Sequence, residues 1–117
     1  STASRTMLVS GVVILLFVVY HVLHLTTGTV HPEYEELAPF HNVVAGFHQP
    51  LAAGIYIVAM IGVGFHLWHG LYSMFHSVGL SHPRYTPGIR KAAALIATLV
   101  ALGNISVPVA VLTGLVG

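Results

Sequence analysis

No cysteine occurs in the 117 residues, so disulfides, thiolate metal sites and iron–sulfur ligation within this chain are excluded. Charge is almost as scarce. Four Lys and Arg and three acids make up 6% of the chain, where a soluble surface is usually about a quarter charged. The net charge of +1 offers no electrostatic footprint for nucleic acid, and no such partner is expected. What is present is 56% apolar residues, a mean hydropathy of +0.86 and nine histidines, more than all Asp, Glu, Lys and Arg together. The length suits one small domain over 1–117. These features describe a membrane protein rich in imidazole.

The few charges divide the chain into long uncharged runs. There are 27 residues from Thr6 to Pro32, 47 from Leu37 to Pro83 and 26 from Ala92 to Gly117. A spanning helix needs about 20 mostly apolar residues. The expected fold is all-α, a transmembrane bundle with helices at about 6–27, 50–78 and 89–116. Gly28 suits a left-handed terminator for the first, and Pro50 suits the first turn of the second. Strands are excluded because an open sheet cannot satisfy its backbone in lipid. The segment Met7–Thr27 has one preceding Arg and a polar HVLHLTTG end, which argue against a cleaved signal. The chain begins at Ser1 rather than Met, which reads as processing or as part of a longer polypeptide.

Loop charges set an orientation. Arg5 precedes the first helix, and Arg84, Arg90 and Lys91 lie around the second connection, whereas Glu33, Glu35 and Glu36 lie in the first. The positive-inside rule places the amino terminus and the 79–91 loop on the cytoplasmic side. The same basic residues suit contact with lipid headgroups.

Four histidines stand inside the spans as two pairs, His21 and His24 in YHVLH, His66 and His69 in FHLWHG. Residues three apart share a helix face, and ionisable groups within a span are costly and usually functional. The plainer reading of each is an imidazole bonded to a neighbouring helix. His31, His41, His48 and His82 fall in connections and read as solvated or interfacial, as does His76. Zinc wants a compact tetrahedral set, often with thiolates or carboxylates, and the spans have neither. Haem iron needs one or two imidazoles and an apolar slot, for which Gly62, Gly64 and Gly70 leave room. His21 lies about 9 Å and His66 about 24 Å from the outer side, a stagger of about 15 Å. One haem cannot take both, but two stacked haems can take one each. His24 and His69, nearer the interfaces, suit supporting or propionate contacts.

The stretches SRTMLVSGVVILLFVVYHVLHLTTGTVHP and GFHLWHGLYSMFHSVGLSHPRYTP, with the last span, resemble the di-haem cytochrome b membrane anchor of succinate:quinone oxidoreductase, specifically its carboxyl-terminal half. The resemblance covers nearly the whole chain. It implies a five-helix anchor with four haem-ligating histidines on its first four helices. His21 then matches the third ligand, on the haem distal to the catalytic subunits, and His66 the fourth, on the proximal one. The two preceding helices and their ligands have no counterpart here, so further histidine-bearing helices are expected from the same parent chain or another.

What the resemblance implies functionally is electron relay through two b haems between an iron–sulfur subunit and membrane quinone, of menaquinone type. Dicarboxylate chemistry would reside on a flavoprotein subunit, and the location would be the bacterial cytoplasmic membrane. His31 and Glu33 would then serve a quinone near the outer haem, and His82 and Arg84 a propionate or the iron–sulfur subunit. The alternatives are a haem b anchor of hydrogenase or formate dehydrogenase type, and a non-redox transmembrane scaffold or transporter segment with hydrogen-bonded histidines.

Overall fold

The computed structural model describes residues 2–80 and 82–117, and the described residues are helical with no strand. Helix α1 covers Thr2–His21 and continues through a π-helical turn over Val22–Thr26. A short α2 covers Pro39–Phe47, followed by α3 over Pro50–Ser77 and α4 over Thr86–Leu112. Ser4–Thr26, α3 and α4 are each long and apolar enough to cross a membrane. At 1.5 Å per residue α3 extends about 42 Å, past a hydrocarbon core of about 30 Å.

Helix ends follow local chemistry. Pro50 and Pro87 occupy first turns, where a missing N–H leaves no bond unmade. Pro87 therefore opens α4 rather than closing the loop, and the helix starts at Thr86, before the expected 89. It ends at Leu112, short of 116, because the chain turns through Gly114 at a φ of +82°, a conformation glycine adopts without strain.

The first connection holds a helix where a loop was expected. Val43, Val44 and Phe47 recur at helical spacing and pack on Tyr56, Ala53 and Val111. This apolar stripe gives α2 a face to bury, so nine residues hold a helix that would be marginal alone.

α3 is the middle element. It packs against α4 and against α1, while α1 and α4 do not approach one another among the described residues. α2 lies across one end of the bundle, touching the π-helical turn, α3 and α4. The core sits at that end, around Phe47, Ala53, Tyr56 and Val111, with Phe17, Tyr20 and Leu25 packed against it. Elsewhere the spans are open. Only 6%, 22% and 17% of their most apolar windows are buried, so most of their surface must face lipid or other helices.

Candidate functional site

The π-helical turn is closed by the Thr27 N–H donating to Val22 O at 2.9 Å. Such turns widen a helix locally and recur at functional sites. Here His21 and His24 lie on either side of the turn's start and meet one group. The Tyr56 hydroxyl on α3 lies 3.2 Å from His21 Nδ1 and 3.0 Å from His24 Nδ1. His21 remains exposed at the rim, with Phe17 stacked on its ring at 5.6 Å. No partner engages its Nε2 among the described residues. His24 is buried, its ring between Tyr20 at 5.3 Å and His31 at 4.8 Å, both nearly parallel to it. Gly46 of α2 closes over it, and a Cβ there would stand 2.7 Å from His24 Cε1.

A second imidazole lies deeper along the same helix pair. His66 Nδ1 is 2.9 Å from Ser10 Oγ on α1. The Ser10 hydroxyl donates to the Met7 carbonyl at 3.2 Å, so it has a lone pair and no second proton for His66. With Ser10 donating to Met7, His66 Nδ1–H can donate to the Ser10 oxygen and leave Nε2 its lone pair. Gly11 sits beneath the ring, with a Cβ there 3.6 Å from His66 Cε1. The two pairings put antiparallel α1 and α3 in register at two levels. Ten residues separate Tyr56 from His66, about 15 Å along the helix.

The other sequence-predicted residues divide by setting. His24 cannot reach out to a propionate, since its ring is enclosed, but it touches the His21 site through Tyr56. His31 is buried with both nitrogens engaged: Nδ1 accepts the Glu33 N–H at 3.2 Å, and Nε2 donates to the Asn42 carbonyl at 2.9 Å. It holds the loop rather than presenting a free nitrogen to a quinone. The Glu33 side chain is exposed beside it. His69 stacks on Trp68 at 5.2 Å and is half-buried. Gly62 and Gly70 face α1 rather than an open slot. A Cβ at each would meet Val13 and Met7 at 3.7 and 3.8 Å, so the missing side chains admit a helix. Gly64 does the same for α4, facing Ala101. At the opposite end, His82 Nδ1 accepts the Arg84 N–H at 3.0 Å, and both side chains are exposed.

Ser10, Tyr56, Asn42 and Gly46 were not singled out from the sequence. Ser10 and Tyr56 carried a usable signal, because a polar side chain inside a span wants a partner. Asn42 and Gly46 act through tertiary contacts that no spacing reports.

A haem-ligating imidazole binds iron through one nitrogen while its other N–H is held by an acceptor. His66 can meet that requirement through Ser10, and His21 through Tyr56. Among the described residues no three His, Asp or Glu side chains converge to hold a metal ion, so the donor set suits single imidazoles on separate irons. No curated protein and no solved structure gives a significant match to the chain. The profile of the succinate dehydrogenase/fumarate reductase transmembrane subunit family matches residues 1–105, which selects this family among the haem-anchor types considered. With three apolar spans and that match over most of its length, the chain belongs to the succinate dehydrogenase/fumarate reductase transmembrane subunits.

Proposed function

We propose that this subunit anchors the succinate dehydrogenase/fumarate reductase complex in the bacterial cytoplasmic membrane and relays electrons through two b haems. The observation that carries the reading is the pair of cross-helix contacts about 15 Å apart, His66 with Ser10 and His21 with Tyr56. Each leaves an imidazole Nε2 with no partner among the described residues. Haem b, when bound, supplies a one-electron iron couple whose potential its surroundings tune. His66 would hold the inner haem and His21 the outer one. Ser10 would accept the His66 Nδ1 proton, and Phe17 stacks on the His21 ring and supports it against rotation.

A helix cannot readily ligate both faces of one macrocycle, and α4 carries no histidine. The second axial ligands are therefore proposed to come from further histidine-bearing helices packed on α1 and α3. The iron–sulfur subunit would dock at the 79–91 end, with the flavoprotein subunit beyond it carrying the dicarboxylate chemistry. His82 and Arg84 are exposed there for such a contact. At the other end a quinone, of menaquinone type, would draw protons past the exposed Glu33, while His31 keeps the loop folded.

Visible spectroscopy with redox titration of the purified complex tests this. His66→Ala should remove the inner haem or convert it to high spin while sparing the outer one. His21→Ala should do the reverse. Two unchanged low-spin haems in either variant would refute that ligand.

A further inference from the structure

We infer that Tyr56 is the positioning residue for His21, and that buried His24 sets the direction of the hydrogen bond between them. The inference rests on His21 being an axial ligand. The Tyr56 hydroxyl has one proton and lies within bonding distance of two Nδ1 atoms, at 3.2 Å for His21 and 3.0 Å for His24. It can donate to only one of them. An imidazole ligates through Nε2 only if Nε2 carries no proton, which in neutral His21 places the proton on Nδ1. Tyr56 must then accept from His21 and donate to His24 Nδ1, leaving the His24 proton on Nε2. The reverse direction would put the His21 proton on Nε2 and block ligation. The His24 tautomer and the readiness of His21 to bind iron are thus one variable.

The packing makes this chain stiff. His24 cannot turn away, because Tyr20 and His31 stack on its two sides and Gly46 closes over it. The Tyr56 ring is held edge-on by Phe17 at 5.0 Å, Tyr20 at 5.9 Å and Phe47 at 4.7 Å. The deeper site lacks this device. The Ser10 hydroxyl lies between His66 Nδ1 at 2.9 Å and the Met7 carbonyl at 3.2 Å, and no second imidazole among the described residues shares it. The outer histidine instead hangs on a side-chain relay that reaches α2 and the first connection.

An acceptor on Nδ1–H makes the imidazole a stronger donor to iron, which favours the ferric state. The test uses the whole complex, measuring the potential of each haem, its low-spin electron paramagnetic resonance signal and the rate of haem transfer to apomyoglobin. Tyr56→Phe should keep both haems, raise the potential of the outer one, shift its signal and speed its loss about tenfold, with the inner haem unmoved. His24→Leu should move the outer haem in the same direction by less. The double variant should match Tyr56→Phe rather than the sum of the two. An unmoved outer potential and signal in Tyr56→Phe, or full additivity in the double variant, would overturn the inference. Should Tyr56→Phe not assemble, His24→Leu leaves Tyr56 in place, and an unmoved outer haem there overturns it equally. The underlying ligand assignment fails separately, by His21→Ala keeping two low-spin haems.

Discussion

Asn42 does at the α2 end of the bundle what a helix cap does elsewhere. Its Nδ2 donates to the Glu35 carbonyl at 2.8 Å, its Oδ1 accepts the Glu35 N–H at 2.8 Å, and its own carbonyl takes the His31 Nε2–H. One buried amide therefore ties the acidic turn to α2 and fixes the histidine that stacks on His24. Asn42→Ala removes both side-chain bonds and leaves the Glu35 N–H without its partner, while the Glu35 carbonyl keeps the Ala38 N–H at 3.3 Å, a loss of about 1–2 kcal/mol. The expected outcome is faster cleavage at Glu35 and Glu36 by a glutamate-specific protease, with α3 and α4 uncut. Unchanged cleavage would show that the turn holds without the clamp. At this scale the sequence was partly legible. His21 and His66 stood out because an imidazole in a span is costly, and they lie on α1 and α3. His24 shares a helix face with His21, and the sequence separates the two only by depth, as a ligand and a supporting contact. Only the π-helical turn and the Gly46 contact bury one ring and leave the other at the rim.

Among the helices, the long spans were readable and the short one was not. Charge-free runs mark where lipid solvates a helix, and they locate α1 with its π-helical turn, α3 and α4, the ends differing by at most four residues. α2 has only nine residues and sits in a stretch rich in turn formers and acids, so its helix depends on Val43, Val44 and Phe47 finding the α3–α4 end. Small residues decide how closely the long helices pack. A Cβ on Gly64 would lie 3.1 Å from the Ala101 Cβ and 3.8 Å from the Ala97 carbonyl, so there is no spare room at that crossing. Gly64→Val should push α3 from α4 and destabilise the subunit by about 1–3 kcal/mol. Gly54→Val meets nothing within 4 Å and serves as the control. Thermal scanning of the detergent-solubilised complex reads the difference. A lower midpoint for Gly64→Val alone is expected, and equal midpoints would mean that the crossing is loose.

For the whole molecule, the arrangement of charge is the clearest message. The chain measures 52 Å along its longest axis, more than the hydrocarbon core of about 30 Å, so both ends emerge from the bilayer. All three acids lie in the first connection beside α2, whereas Arg84, Arg90 and Lys91 lie at the opposite end. Arg90 is held there, donating to the Tyr72 hydroxyl at 3.2 Å with its guanidinium 4.8 Å over the ring. The cation–π contact adds about 0.5–1 kcal/mol at such an exposed site and fixes one basic group at the membrane boundary. Lys and Arg near the ends of spans set orientation, and acids contribute little. The basic end is therefore proposed as cytoplasmic, with His66 on the cytoplasmic side of His21. The lack of native cysteine in this chain makes the test direct. Glu36→Cys removes no basic residue, and Tyr85→Cys places a thiol at an exposed site beside Arg84 without touching the positive charges. In intact cells a membrane-impermeant maleimide should label Glu36→Cys, and should reach Tyr85→Cys only after lysis. Labelling in the opposite order would turn the subunit over. It would put His21 on the side of the iron–sulfur subunit and require the electron path proposed through His66 to be redrawn from the other end.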